Sequence, residues 1–296
     1  MTELRSGFVA VIGRPNVGKS TLVNRIIGTK VTIASPRPNT TRTQVRGVLN
    51  VPGAQAVFVD TPGLHRPRSP LGERLNEAAH SSLDDVDVAV AVVDATGAVG
   101  PGDRMAVESA RARAVRGGAT LLVVVNKIDL ASRHAVLERL REASDAVAAG
   151  AGAPAGVEYL PVSSTTGEGI GPLVEAVVAA LPPGPRYYPE GMVSDVAEAF
   201  WVADLVREQL LARVQDELPH SIACRVTEWE WPRIRCEILV ERDSQKGIVI
   251  GRGGETLKEV GTAVRAQLPP GAYLELFVRV EKRWQYREDA LDRLGL

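Results

Sequence analysis

Residues 13–20 read GRPNVGKS, the part of the sequence most suggestive of chemistry. Two glycines separated by four residues and followed by lysine and serine allow backbone N–H groups to surround a phosphate at a helix start. In such a loop Lys19 reaches the β- and γ-phosphates, and Ser20 offers its hydroxyl to Mg²⁺. The loop therefore predicts a site for a nucleoside triphosphate and Mg²⁺, formed by Gly13, Asn16, Val17, Gly18, Lys19, Ser20 and Thr21.

Residues 60–63 read DTPG and follow a short apolar run. At the end of a buried strand, Asp60 is expected beside the water shell of Mg²⁺, and the Gly63 amide is expected near the γ-phosphate. We therefore assign Asp60 and Ser20 to the metal, and Gly63 and Lys19 to both nucleotide binding and catalysis.

Residues 126–129 read NKID and identify the base. The Asp129 carboxylate can accept hydrogen bonds from guanine N1–H and the 2-amino group, whereas adenine would present a lone pair at N1. Such polar complementarity discriminates by roughly 10⁴-fold. GTP and GDP are therefore the expected ligands, and a metabolic ATPase conflicts with Asp129. The other residues expected to bind the guanine base are Asn126, Lys127, Ser163 and Ser164. The two serines lie where backbone amides could meet guanine O6.

These motifs need a sheet that brings strand ends together. Helical patterns separate five short apolar runs at 8–12, 56–59, 86–93, 121–125 and 157–162. Runs of this kind are typical of strands that are buried on both faces. The sequence thus predicts a doubly wound, mostly parallel α/β domain, interrupted by a long polar loop at 29–44.

A proline cluster at 181–189 predicts a domain boundary. We expect one domain over 1–181, a proline-rich linker over 182–195 and a second domain over 196–296. The second domain starts with a helix over 196–216, and its pattern reads α-β-β-α-α-β-α with strands at 221–227, 233–241 and 273–280. This order predicts a small α+β domain.

A glycine loop, Gly251 to Gly254, lies between two predicted helices of the second domain. This spacing alone is weak, because the chain has 28 glycines and a helix–turn–helix with a glycine cap would share it. From residue 196 onward there are 15 Lys and Arg against 17 Asp and Glu, so any contact with RNA is expected to be local. The candidate RNA-binding residues are Lys246, Gly251, Arg252, Gly253, Gly254 and Lys258.

The nucleotide motifs, in this order, resemble those of translation-factor-type GTPases. The run GRPNVGKSTLVNRIIG and the loop containing Thr40, Thr41 and Arg42 are similar to the Era family, and the glycine loop resembles a type II KH domain. A GTPase domain followed by a KH domain is the Era architecture, which covers nearly the whole chain. The resemblance implies GTP hydrolysis, binding near the 3′ end of small-subunit ribosomal RNA and a role in small-subunit assembly.

The resemblance also implies that Thr41, or its neighbour Thr40, closes on Mg²⁺ only when the γ-phosphate is present. Residues 29–44 then form the first switch and residues 64–70 the second. Leu64 stands where Ras-like enzymes keep a water-orienting glutamine. Related GTPases with this replacement hold K⁺ through a P-loop asparagine, so Asn16 is a catalytic candidate for K⁺; the alternative is that Asn16 only hydrogen-bonds within its loop.

Two features depart from the family pattern. Ala199 replaces an expected arginine, and the link between the first two KH strands, at 228–232, is short. Both bear on details of RNA contact. A rival interpretation is a signalling or tRNA-modification-related GTPase whose C-terminal domain binds a protein, but the single GTPase domain and the glycine loop argue against it.

Composition sets broader limits. The chain has 296 residues, 45% hydrophobic and 24% charged, with a formal net charge of −1, which favours two globular domains and recommends neither nucleic acid nor an acidic membrane as partner. Cys224 and Cys236 are expected to be core residues. Without a secretory pattern or a bilayer-length apolar run, we expect a cytoplasmic monomer. The membrane association sometimes attributed to the family finds no support in the sequence.

Overall fold

The computed structural model describes residues 3–65, 67, 69–152, 154, 156–214 and 218–296, without the side chains of 219 and 220. The chain divides into two compact units. The first comprises Met1–Ala34, Thr41–Arg66 and Arg74–Asp195, and the second comprises Ser35–Thr40, Pro67–Glu73 and Val196–Leu296. The predicted linker 182–195 thus belongs to the first unit, and parts of both predicted switches belong to the second. Of the predicted second switch, residues 66 and 68 lie outside the described residues.

The first unit contains a six-stranded sheet with helices between its strands. Its order is β2-β3-β1-β4-β5-β6, with β2 antiparallel to β3 and the other pairs parallel. This confirms the predicted fold class. The elements are β1 (Arg5–Ile12), α1 (Lys19–Ile27), β2 (Val45–Val51), β3 (Ala54–Asp60), α2 (Pro70–Ser81), β4 (Val88–Asp94), α3 (Pro101–Gly117), β5 (Thr120–Asn126), α4 (Arg133–Ala148), β6 (Glu158–Val162) and α5 (Ile170–Ala180).

Apolar residues on both sheet faces hold this unit together. On one face, Leu22 of α1 and Leu173 of α5 pack with alternate residues of the central strands. On the other, Val107 of α3 and Val147 of α4 pack with the remaining ones. Burial on both faces explains why the central strands read as continuous apolar runs. It also fixes the carboxyl ends of β1, β3, β4 and β5 at one edge, where the motif residues follow.

Strand β2 was not predicted. Its sequence VRGVLNV lacks a continuous apolar run, and Arg46 within it is exposed. In the six-stranded sheet, β2 is an edge strand that pairs with β3. The Pro52-Gly53 pair that follows is a turn signal that could have revealed the hairpin.

The proline-rich segment 182–195 is held against the first unit rather than free. Ser194 forms an isolated bridge with Gly47 of β2. The fully buried Gln55 side chain accepts from the backbone N–H of Tyr187 at 2.8 Å and of Tyr188 at 3.0 Å. Prolines disfavour strand pairing, so the N–H groups of Tyr187 and Tyr188 find in the Gln55 side chain the acceptor that a neighbouring strand would otherwise provide.

The second unit contains a three-stranded sheet of order β7-β8-β9, with β7 antiparallel and β9 parallel to β8. This confirms the predicted small α+β fold. Its elements are α6 (Glu198–Leu211), α7 (Leu218–Ser221), β7 (Ala223–Glu230), β8 (Arg233–Val240), α8 (Asp243–Ile250), α9 (Glu255–Arg265), β9 (Tyr273–Val280) and α10 (Glu288–Arg293).

Three details of the second unit differ from the sequence interpretation. Helix α6 ends at Leu211 instead of continuing to 216, and residues 215 and 216 lie outside the described residues. Strand β7 continues to Glu230, so only two residues link β7 to β8. Cys236 is fully buried, and burial raises the pKa of its thiol well above the ordinary value, but Cys224 is only half-buried.

Candidate functional site

The phosphate-binding loop runs from the end of β1 into α1. Gly18 has φ +96°, and a Cβ there would collide with the Asn126 side-chain amide, so glycine is required for two reasons. Lys19 is 6% exposed, and its ammonium donates to the carbonyls of Gly13 at 3.0 Å and Arg14 at 3.2 Å. Because burial disfavours its charged form, the pKa of Lys19 is lowered to about 8. A phosphate oxygen in this loop would meet a donor that is already in place.

Asp60, at the end of β3, brings three hydroxyl-bearing side chains to one edge. Its Oδ2 accepts from Thr32 Oγ1 at 2.9 Å and from Thr41 Oγ1 at 3.3 Å. Thr41 Oγ1 also lies 2.9 Å from Ser20 Oγ. The carboxylate is completely buried, and burial raises the pKa of Asp60 above its ordinary value. Three predicted metal residues, Ser20, Thr41 and Asp60, are therefore adjacent. We call the part of the sheet edge that they form the metal edge.

This edge fits Mg²⁺. The buried Asp60 Oδ1 has no hydrogen-bond partner among the described residues, so one carboxylate oxygen is left for an ion or its water. Mg²⁺ prefers oxygen ligands and is commonly held by one or two protein groups together with phosphates and water. The described residues contain no cluster of three or more His, Cys, Asp or Glu that could form a metal site by itself. The donor set is thus one that a nucleotide would complete.

The two threonines that the sequence could not separate have different surroundings. The Thr40 hydroxyl donates to the Arg37 carbonyl at 2.7 Å, which turns it into its own loop. The Thr41 hydroxyl meets Ser20 and Asp60. Both threonines are buried, but only Thr41 presents its oxygen to the metal edge, so the geometry supports Thr41.

The base-side motif is tied to two other loops. Asn126 donates through Nδ2 to the Val17 carbonyl at 2.8 Å, and its Oδ1 accepts from the Ser164 N–H at 3.0 Å. Ser163 Oγ donates to Asp129 Oδ1 at 2.6 Å. These contacts bring the phosphate loop, the NKID segment and the serines after β6 together. The Asp129 carboxylate is exposed at this position and keeps acceptor capacity for a ligand.

Asp94, at the end of β4, was not assigned to the site from sequence. Its Oδ2 accepts from Lys127 Nζ at 2.7 Å, and the same ammonium donates to the Asn16 carbonyl at 2.6 Å. Burial opposes ionisation of Asp94, but hydrogen bonds from Lys127 and Thr96 outweigh it and hold its pKa below the ordinary value. Its position at the carboxyl end of a parallel strand was an available signal. Thr32 was also missed, and no motif marks it.

Gly63 and Leu64 follow the metal edge. A Cβ at Gly63 would collide with the backbone of Pro15, which keeps the two loops close. Leu64 is fully buried in the apolar core, and its N–H donates to the Gly13 carbonyl at 3.2 Å. Since leucine has no polar side-chain group, position 64 provides no side-chain base for water.

In the second unit, the glycine loop joins α8 to α9. Gly254 has φ +81°, and no atom lies within 4 Å of a Cβ built there, so a ligand backbone could approach closely. Arg252 and Lys258 are exposed beside it, while Lys246 is half-buried in α8. The loop therefore combines open space with cationic side chains, which is what a phosphodiester backbone requires.

Comparison with known proteins identifies both parts. A family model described as 50S ribosome-binding GTPase matches residues 8–127, and a KH domain model matches residues 217–285. GTPase Era of Mycobacterium avium is 47% identical, and that of Mycobacterium tuberculosis 46%, over the full length of both chains in each case. The chain belongs to the Era GTPase family. The predicted family and its two-domain architecture are confirmed.

Two solved Era structures match nearly the whole chain. An Era in complex with MgGDPNP and nucleotides 1506–1542 of 16S ribosomal RNA has a TM-score of 0.90 and 35% identity, with 99% of each chain covered. An Aquifex aeolicus Era variant bound to GDP·AlF4⁻ has a TM-score of 0.89 with the same identity and coverage. The chain is thus a GTPase with the Era fold, and GTP and GDP are its nucleotides.

The lowered pKa of Lys19 predicts pH-dependent nucleotide binding. Phosphates stabilise the ammonium, so above pH 8 the free protein must take up a proton when it binds GDP. At pH 8 we expect uptake of about half a proton per GDP, and affinity about fourfold weaker at pH 8.5 than at pH 7. Calorimetry at pH 8 in buffers with different ionisation enthalpies measures the uptake.

The matched control for this prediction is Lys19→Arg, whose guanidinium stays protonated across the range. The variant should show no proton uptake at pH 8, whatever its affinity. Equal uptake in the two proteins would assign the proton to another group and would contradict the role of Lys19.

Proposed function

We propose that this Era-family GTPase is a switch that binds small-subunit ribosomal RNA near its 3′ end and assists assembly of the small ribosomal subunit. The observation that carries the proposal is its match, over 99% of both chains, to an Era held with MgGDPNP and a 16S RNA segment. Both candidate sites of the present chain support it, since each offers the donors that its ligand needs.

On the nucleotide side, each residue has one role. Lys19 and the backbone amides of 13–20 bind the β- and γ-phosphates, with Thr21 continuing the loop into α1. Asp129 accepts from guanine N1–H and the 2-amino group, and the backbone at Ser163 and Ser164 meets guanine O6. Gly63 donates its N–H to the γ-phosphate. The hydrogen bonds through Asn126, which join these loops, support their acting as one site.

Mg²⁺ would be held by Ser20, by Thr41 and, through water, by Asp60. When bound, it neutralises charge that develops on the phosphates. The protein's own contribution is to hold the buried Asp60 carboxylate beside Ser20 and Thr41, and to release Thr41 when the γ-phosphate is lost. With Leu64 buried, no side chain at that position activates water, so unassisted hydrolysis is slow and the switch stays long in its GTP state.

On the RNA side, the glycine loop admits the RNA backbone, and Arg252, Lys258 and Lys246 meet its phosphates. The groove beside such a loop reads about four nucleotides of single strand. Because the rest of this unit is not basic, affinity depends on the groove rather than on a charged face. The GTP state favours this binding, and hydrolysis releases the RNA.

The protein acts as a cytoplasmic monomer. Among the residues that the structure describes, no helix is long and apolar enough to cross a bilayer. Assembly of a ribosomal subunit takes place where ribosomal RNA is, which supports the same compartment.

Crosslinking to cellular RNA tests the proposed function. With a non-hydrolysable GTP analogue, the 3′ end of small-subunit RNA should be enriched, and with GDP the enrichment should fall by roughly tenfold. Gly254→Asp should abolish the crosslink, because a carboxylate then faces the phosphates. Sequencing of crosslinked fragments provides the measurement.

Gly271→Asp is the matched control, since Gly271 also has a positive φ and open space but lies outside the glycine loop. Its crosslinking should persist. Absence of enrichment in both nucleotide states would instead make the second unit a protein-binding module.

We also propose that Asn16 holds K⁺ against the phosphates during hydrolysis, which supplies charge that no side chain at position 64 can provide. GTP hydrolysis should then be at least about tenfold faster in K⁺ than in Na⁺. Asn16→Gly should remove the difference, because glycine tolerates the φ of 65° but lacks the side-chain amide oxygen of asparagine. Equal rates of phosphate release in the two salts would refute this role.

A further inference from the structure

The first switch is divided between the two compact units at one peptide bond. Residues Ser35–Thr40 belong to the second unit, and the first unit resumes at Thr41. Thr41 places its hydroxyl at the metal edge, and Thr40, the next residue back, is held within the second unit. Since consecutive residues cannot move independently, what holds Thr40 also constrains Thr41.

Arg207, on α6, holds Thr40. Its Nη2 donates to the Thr40 carbonyl, and its Nη1 lies 3.5 Å from the Asn39 carbonyl. The side chain is only 4% exposed. A guanidinium that binds two successive carbonyls determines the direction of the backbone as well as its distance from α6.

The guanidinium is itself oriented. Asp204, one turn earlier on α6, accepts from its Nη2 at 3.0 Å and from its Nε at 3.3 Å. On either side of Arg207 in the helix, Val206 and Leu210 are fully buried, so α6 has little freedom to shift. The switch segment has a second attachment to the same unit, because Arg37 Nη2 donates to the Val214 carbonyl at 3.2 Å.

We propose that Arg207 is the positioning residue through which the nucleotide state acts on the RNA-binding unit. This inference rests on the proposed function. The coupling runs from the γ-phosphate to Thr41, through its peptide bond to Thr40, and then to Arg207. When Thr41 closes on the metal edge, Thr40 and Asn39 present their carbonyls to Arg207. Loss of the γ-phosphate frees Thr41 and withdraws these acceptors from a buried cation.

Withdrawal of the carbonyls leaves Arg207 with Asp204 as its remaining partner among these contacts. A buried guanidinium with unsatisfied donors is unfavourable, so the second unit must rearrange until the donors of Arg207 are satisfied again. The coupling is reciprocal, and RNA binding that favours the Arg207-engaged arrangement must strengthen binding of the GTP state by the same factor.

The test measures one ratio on the full-length chain. The affinity for a 16S RNA oligonucleotide of nucleotides 1506–1542 is determined with Mg²⁺ and a GTP analogue, and again with GDP. The wild-type ratio should be roughly tenfold or more, and Arg207→Ala should reduce it to nearly one. Arg207→Lys should restore only part of it, since one ammonium cannot reproduce the planar fork.

Arg213→Ala is the matched control, because Arg213 follows the same helix but binds Gln209 and Glu259 at the surface. Its ratio should equal that of the wild type. If circular dichroism shows that Arg207→Ala does not fold, the same ratio is measured for Asp204→Asn and Arg207→Lys. Each of these variants should lower the ratio.

A wild-type ratio in all folded variants of Arg207 and Asp204 would overturn the inference and leave the proposed switch intact. A wild-type protein that binds RNA equally with both nucleotides would overturn the switch itself, and with it the inference. The two failures are therefore distinguishable in one experiment.

Discussion

The nucleotide site depends on a carboxylate that is completely buried at the end of β3. An ion in this position is unfavourable unless its oxygens are satisfied, and burial already raises the pKa of Asp60. Thr32 and Thr41 satisfy one oxygen, and the other is without a partner among the described residues. In the proposed function a cation and a nucleotide complete this arrangement, and their binding is linked to the position of Thr41.

The sheet makes this arrangement possible. Four parallel strands end at the same edge, and each contributes one group: the phosphate loop after β1, Asp60 on β3, Asp94 on β4 and Asn126 on β5. Helices on both faces exclude water from the strands, and the strand ends alone remain polar. Contacts through Asn126 and Lys127 then join segments that are more than a hundred residues apart in sequence.

Much of this could be predicted from sequence because the chemistry is local. Lys19 and Ser20 are adjacent in a loop whose glycines specify its backbone, and Asp60 follows a buried strand. Thr32 and Arg207 could not be found in this way, since each acquires its role from a residue distant in sequence. Strand β2 was missed because edge pairing, rather than an apolar run, stabilises it. The geometry that favours Thr41 over Thr40, the hydrogen bonds of their hydroxyls, likewise lay outside the reach of the sequence.

The central claim is that Thr41 joins the metal edge only when the γ-phosphate is present. The most direct measurement is the affinity for a GTP analogue relative to GDP, with Mg²⁺ and with a chelator, in the wild type and in Thr41→Ala. The account predicts that Mg²⁺ raises the preference for the analogue by roughly tenfold or more in the wild type, and that the variant loses this gain. A variant that keeps the full Mg²⁺-dependent preference would contradict it.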